Sequence, residues 1–459
     1  MNTQYISFHA GESVVMLPEG VKNEFILPKG TAMTGKLLRE MIDKHKQYVP
    51  KYLESKRMYE NDYGIMHRLD RAYHKPDNRL TVNLAKYIVD TFSGFFMGNP
   101  VKESHENELV NDFVLSFNRR NNLDDHKAEL SKIACIYGHS FEYIFQDENA
   151  ETEVVYETPL GMFIIYDDTI KKKPMYAVRY DYDEQGRVYG ELITHTDYLS
   201  FKQDNVFDMA IEVPSNETRH YYGGLPVIEY LQNSERQSIF ENVKSLINAL
   251  NKVLSAKVDD IEYFADAYLA ILGAEIEDAD LARLLENRVI NLDGDGADKV
   301  TIKFLEKPSS DKTQENTINW LLDLIYQTAM VSNVNDEKFG DASGTALEIK
   351  LQPMSNLALT KERKFKSAMQ DRYKLVFNLP TNVPTGYRNE WQNIQYTFTQ
   401  NMPRNISDEV ENARNLEGVV SKETQLSQLS FIDDAKEEID KLKSEKPDEE
   451  QYDFQNFGD

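Results

Sequence analysis

Four acids crowd one short stretch of the chain: Asp259, Asp260, Glu262 and Asp266. Carboxylates at this density are what a two-metal nuclease uses to hold cations against a phosphodiester. These four, however, fall among apolar anchors in a run with neither glycine nor proline. No companion histidine or distant carboxylate motif joins them. A charged helix face, solvated or lining a channel, is therefore the preferred reading over a metal site. A second acidic run, Asp293-Gly294-Asp295-Gly296-Ala297-Asp298, begins like a calcium loop. Such a loop needs a bidentate Glu at its twelfth position, and here that position is Phe304. The run reads instead as a tight hairpin turn.

The bases also cluster. Lys361, Arg363, Lys364, Lys366, Arg372 and Lys374 stand against only two acids, Glu362 and Asp371. In a chain this acidic, pairing between subunits is favoured over contact with DNA, and a solvated helix face is the plain alternative. The single cysteine, Cys135, lies in the apolar run Ile133-Ala134-Cys135-Ile136-Tyr137 and reads as a small buried hydrophobe. There is no GxxxxGK[ST] phosphate loop, no HExxH and no CxxC, and the nine histidines lack metal-ligand spacing. No cofactor and no metal is expected, and catalysis is not the expected role.

The elements that must carry these groups follow from the pattern. The chain has 459 residues, with 52 Lys plus Arg against 77 Asp plus Glu, a net charge of -25. Such a surface does not grip nucleic acid everywhere, because phosphate contacts need bases. One cysteine excludes an internal disulfide framework and suits a reducing compartment. The first ten residues have no basic start and no apolar stretch, so neither a signal peptide nor, further along, a membrane span is expected.

Residues 1–33 read as an arm with short strands such as Ser13-Val14-Val15-Met16-Leu17. A helical region follows over 34–59, and a strong apolar stripe from Val82 to Phe96 predicts a helix over 80–97, stopped at Gly98-Asn99-Pro100. Two further amphipathic helices are predicted over 106–117 and 124–137. From 140 to 227 the pattern turns to short β-rich runs separated by turn residues, an antiparallel meander of six or more strands. After Gly223-Gly224-Leu225-Pro226, residues 234–272 hold helical spacing for more than eight turns, a rod of about 50 Å if unbroken. Residues 273–308 hold a short helix (278–286) and two strand-like runs (288–292 and 299–305). A second helix is predicted over 311–331. A polar loop follows, and then a third helix over 345–377 with Pro353 inside it, where a kink is expected. Residues 378–403 are loop and strand. The region 404–446 reads as helices, with Ser407 and Ser421 as N-caps and Gly418 after a helix end. The acidic residues 447–459 read as a solvated, partly disordered tail. Two amphipathic rods cannot bury all their apolar surface alone; copies set side by side around an axis would do so.

Several stretches, in order, resemble the portal proteins of tailed bacteriophages, of the siphophage type with long noncontractile tails. They are Asn78-Arg79-Leu80-Thr81-Val82-Asn83-Leu84-Ala85-Lys86-Tyr87-Ile88-Val89-Asp90 running into Gly98-Asn99-Pro100-Val101; Pro226-Val227-Ile228-Glu229-Tyr230; Ser245-Leu246-Ile247-Asn248-Ala249-Leu250-Asn251; Ile261-Glu262-Tyr263-Phe264-Ala265-Asp266-Ala267-Tyr268-Leu269; Ser343-Gly344-Thr345-Ala346-Leu347-Glu348; and Gly418-Val419-Val420-Ser421-Lys422-Glu423-Thr424. The resemblance spans about residues 35–446, and the order and spacing of the pieces are more specific than any one of them.

The resemblance implies an α+β, portal-like subunit in a ring of twelve at one capsid vertex. In its terms residues 34–230 are the wing, 231–272 the first stem helix and 273–308 the clip. Residues 309–331 are the second stem helix, 332–344 the tunnel loop, 345–403 a long kinked helix returning to the wing, and 404–446 a helical crown. Double-stranded DNA would pass through the channel during packaging and ejection, driven by a separate terminase. Head-completion or adaptor protein, major capsid protein and scaffolding protein are the other implied partners, with no membrane. The protein would reside in the virion, and in host cytoplasm during assembly. The loop residues Asn335, Asp336, Glu337, Lys338, Phe339, Gly340 and Asp341 would face DNA. Asp259, Asp260, Glu262 and Asp266 become possible channel-lining acids. Lys361, Arg363, Lys364 and Lys366 become a subunit-contact helix. A channel lined by acids lets a polyanion slide without sticking. The alternatives are a metal-dependent nuclease and a scaffold that forms no ring.

Overall fold

In the computed structural model the described residues are 23–71, 76–206, 208, 211–212, 217–265, 269–272, 301–304, 311–333, 344–402, 406–429, 432 and 435–445. Helices and strands are mixed but segregated, as in an α+β fold.

The helical region at the start is two helices, α1 (Gly35–Lys46) and α2 (Val49–Tyr59). Thr34 caps the first, its side chain accepting from the Leu37 amide, and Pro50 opens the second. Helix α3 runs from Leu84 to Met97, four residues later than its apolar stripe suggests. Asn83 is its N-cap, and the residues before it are extended for a reason given below. Helices α4 (Glu108–Arg120) and α5 (Leu123–Tyr137) follow. Phe92, Phe95 and Phe96 of α3, Phe117 of α4 and Leu130 of α5 are all buried in one apolar core.

Helix α5 ends at Gly138, whose φ is +95°. A side chain there would strike the backbone of Arg236 at 2.3 Å, so only glycine fits this turn.

The β-rich region is two sheets rather than one meander. In the six-stranded sheet, β5 (Met162–Asp167), β6 (Pro174–Tyr182), β7 (Val188–Ile193), β8 (Asp197–Lys202) and β9 (Glu217–Arg219) run antiparallel in sequence order. Strand β1 (Phe25–Leu27), from the segment read as part of the arm, adds to β5 in parallel. The second sheet has the order β10-β3-β4, from β3 (His139–Gln146), β4 (Thr152–Glu157) and β10 (Val227–Leu231). Strand β10, which follows the expected closing turn, is thus drawn back beside β3. A third pairing joins β2 (Lys102–Ser104) to β13 (Gln395–Thr397), bringing the loop after the long C-terminal helix back to α4.

The first rod is shorter than its spacing suggests. Helix α6 runs from Lys244 to Ala265, 22 residues, or about 33 Å. Leu269–Leu272, expected in the rod, is strand β11, and it pairs antiparallel with β12 (Thr301–Phe304). Main-chain pairing with a segment some thirty residues onward competes with helix propagation there, and no local pattern announces it. The second rod, α7 (Asp311–Ala329), follows its expected bounds. It runs antiparallel to α6: Gln314 near its start reaches Asp260 near the end of α6, and its far end meets the turn before α6.

Helix α8 (Gly344–Val376) continues through Pro353 for 33 residues. The remaining helices are α9 (Ile406–Asn415), α10 (Lys422–Leu426) and α11 (Ala435–Glu445). Ser421 caps α10 by accepting from the Thr424 amide, and Gly418 has φ +77°. Ser407 lies inside α9 rather than at its cap. The arm strand expected at 13–17, the helix and first strand expected within 273–300, and the acidic tail at 447–459 lie outside the described residues.

Candidate functional site

The acids of the first rod do not converge on a point. Asp259 is only 5% exposed and faces the chain's own loop. It accepts from Arg71 Nη1 at 2.8 Å, from the Asn78 amide at 2.6 Å and from Asn78 Nδ2 at 3.0 Å. Glu262 accepts from Asn78 Nδ2 at 2.6 Å, and Asp260 from Gln314 Nε2 at 2.9 Å. Among the described residues no three metal-ligating side chains gather. Asp259 is thus committed inside the subunit, because a nearly buried carboxylate is held by its donors. Among the named acids in the described residues, it is the one that is buried. Asp266 lies outside the described residues.

The same face of α6 explains why α3 starts late. Asn251, Ser255 and Asp259 follow one another at intervals of four. They accept from the backbone amides of Val82 at 2.8 Å, Leu80 at 2.9 Å and Asn78 at 2.6 Å. Four residues of helix rise about 6 Å, and two residues of extended chain span about 6.6 Å, so the two periods match. An extended segment therefore lies along the rod, and its donors are satisfied by side chains rather than by a helical turn. Arg68 and Arg79, both bridged to Asp77, fold the preceding loop around this rail. At the other end of α6, Lys244 bridges Glu54 at 3.0 Å, and Glu241 bridges Lys51 at 2.9 Å, tying the rod's base to α2.

The basic cluster of α8 divides in two. Lys361 and Arg372 are both fully buried. Lys361 donates to the Ser131 carbonyl at 2.9 Å and to Cys135 Sγ at 3.1 Å. The rings of Phe92, Phe96 and Phe365 stand 5.2–5.5 Å from its ammonium, an aromatic cage of the kind that favours a cation. Burial lowers its pKa, with Cys135 opposing. Lys361, expected at a subunit contact, therefore sits wholly inside the subunit. Arg372 grips Glu142 of β3 at 2.6–3.0 Å and donates to the Tyr230 hydroxyl at 2.9 Å. His126 adds a bond to Glu142 at 2.8 Å. Burial alone would raise the Glu142 carboxyl, but Arg372 and His126 hold it well below the usual carboxylate range. Arg363 and Lys366 remain exposed, and Lys364 donates to Ser234.

A second buried polar cluster locks the turn into β3. Glu229 accepts bidentately from Arg236 at 2.6 and 2.8 Å. It also meets His139 Nδ1 at 2.6 Å and the Tyr166 hydroxyl at 2.5 Å. The other His139 nitrogen lies 2.9 Å from the Tyr52 hydroxyl. Burial would raise Glu229, and Arg236 and His139 override it and hold it down. A carboxylate, an imidazole and a hydroxyl in line resemble a relay. All are closed in the core, so the arrangement orders the junction of α2, β3 and β10.

The sequence reading missed the Asn251–Ser255–Asp259 rail and the Glu142–Arg372 pair. The signals were present. The rail is a polar stripe at helical spacing, and Lys361 and Arg372 share the stripe of Phe365, Met369 and Val376. The expected DNA-facing residues 335–341 lie outside the described residues. Among the described residues no helix is long and apolar enough to cross a membrane.

Helices packed with two main sheets are thus joined to an antiparallel helix pair, α6 and α7. The family model "Phage portal protein, SPP1 Gp6-like" matches residues 38–452. This chain belongs to that family. It is 25% identical over 391 residues to the "Portal protein" of Bacillus phage SPP1, covering 81% of this chain and 76% of that one. It is 22% identical over 427 residues to the "Portal protein" of Clostridium phage phiCD119, covering 85% of this chain and 91% of that one.

Proposed function

We propose that this chain is the portal subunit of a tailed phage. Copies form a ring of twelve at one capsid vertex, through which double-stranded DNA is packaged and later ejected. The observation that carries this reading is the family match over residues 38–452. The antiparallel rods α6 and α7, held to the wing by the rail, supply its stem. Residues 34–230 form the wing, 273–308 the clip, and 332–344 the tunnel loop. Residues 345–403 form the long helix returning to the wing, and 404–446 the crown. Terminase and head-completion protein dock on the assembled ring; scaffolding and major capsid proteins surround it. The role is structural, and the driving ATPase is a separate protein.

In this reading Asn335 to Asp341 face DNA. Asp260, Glu262 and Asp266 remain candidates for the channel wall, whereas Asp259 is spoken for by Arg71 and Asn78. Arg363, Lys364 and Lys366 remain candidates for contact with a neighbouring subunit. An acidic wall repels phosphates, so DNA slides rather than binds. Charge reversal at Lys338 and Glu337 tests the loop: rings should still assemble, and the amount of DNA packaged per head should change. Unchanged packaging would remove the loop from the DNA path.

A further inference from the structure

Trp320 lies in the middle of α7 and is 61% exposed. An indole turned to solvent on a rod that buries Leu321 and Ile325 against its own chain is a surface awaiting a partner. One turn on, Asp323 is exposed, and no described residue pairs with it. On α6, Asn251, Ser255 and Asp259 face the chain's own loop. The flank of the helix next to that face carries exposed Lys252 and exposed Ala256. Lys252 likewise has no ion-pair partner among the described residues. Ala256 leaves a shallow place beside a cation.

The two faces are complementary in order as well as in charge. Because α6 and α7 are antiparallel, going from Trp320 to Asp323 runs the same way as going from Ala256 to Lys252. The steps are about 4.5 Å and about 6 Å along the axes. Within one subunit all four residues are exposed. In a ring the same face meets its complement on the next copy, a heterologous contact that closes on itself.

We infer that Trp320 of one subunit packs over Ala256 of the next copy of this chain, with Asp323 paired to Lys252 of that copy. This rests on the ring proposed above and names the stem contact that holds it. Central aromatic anchors ringed by polar groups carry much of an interface's strength.

The test uses full-length protein and counts rings by electron microscopy across a dilution series. Trp391→Phe leaves Trp320 as the only tryptophan, so its emission should shift to shorter wavelength in rings relative to dissociated subunits. Trp320→Ala should raise the concentration needed for half-assembly at least about tenfold. Asp323→Lys should weaken assembly, and adding Lys252→Asp should restore it. All three positions are exposed, and circular dichroism of dissociated subunits checks that they still fold. Rings from the parent protein with unshifted Trp320 emission and no effect of Asp323→Lys would overturn this contact and leave the ring standing. No rings from the parent protein would overturn the proposed function and the contact together.

Discussion

The helix-and-sheet region proposed as the wing and the α6–α7 pair proposed as the stem handle charge in opposite ways. In the wing, two buried carboxylates are paired within the chain: Glu142 with Arg372 and His126, Glu229 with Arg236 and His139. In the stem, one face of α6 is tied inward by the rail. Other faces of α6 and α7 leave Lys252, Asp323 and Trp320 in solvent. Buried carboxylates paired in this way need no neighbouring copy. On the contact proposed above, a neighbouring copy completes the exposed indole and the charges of both signs on the rods. On that proposal the contrast separates what folds the subunit from what assembles it.

The comparison breaks most visibly at Arg372. Arg372→Met leaves Glu142 buried beside only His126 and Tyr230, and should cost about 3–5 kcal/mol of subunit stability. Chemical denaturation of dissociated subunits measures it. A loss as small as that of an exposed residue would show that the wing is not held by this pair.

Acid attacks the same carboxylates without mutation. Glu142 and Glu229 both titrate below an unfolded glutamate, so at low pH the unfolded chain binds more protons. Their stabilisation is complete above about pH 5 and is lost as pH falls toward 2. Thermal melts from pH 7 to pH 3 should show the melting temperature falling on the acid side, and Glu142→Gln should flatten that fall. A profile that Glu142→Gln leaves unchanged would place the acid sensitivity elsewhere.

The rail is the intermediate case. Asp259→Ala strands the Asn78 amide and Arg71, and should cost about 1–3 kcal/mol. Hydrogen exchange should then rise at Asn78 and Leu80 while the wing sheets stay protected. Loss of protection throughout the wing would mean that the rail belongs to the same cooperative unit. Smallest of all, Trp320→Ala should change the stability of the isolated subunit by no more than about 0.5 kcal/mol, although its effect on assembly is large. A large loss in the dissociated subunit would make Trp320 part of the fold.

How much of this was legible in the sequence depended on whether a residue's partners are near it in the chain. Helices α5, α7 and α8 follow their apolar spacing to within a few residues, because each buries a stripe with helical period. Leu80 to Asn83 misled, since the amides there are taken by side chains about 170 residues away. Leu269 to Leu272 misled for the same reason, with its pairing strand at Thr301–Phe304. Lys361 and Arg372 counted as surface bases in an acidic chain. Composition cannot show that Glu142 lies 230 positions earlier and directly opposite, though their place on the apolar stripe of α8 hinted at burial. The family resemblance, by contrast, rested on ordered segments, two of which, 78–90 and 245–251, meet along the rail.

The most direct test of the account is a class-averaged view of the purified protein down its axis. The account predicts a closed ring with a central hole, its rods side by side around the opening. A monodisperse monomer at every salt concentration would contradict it.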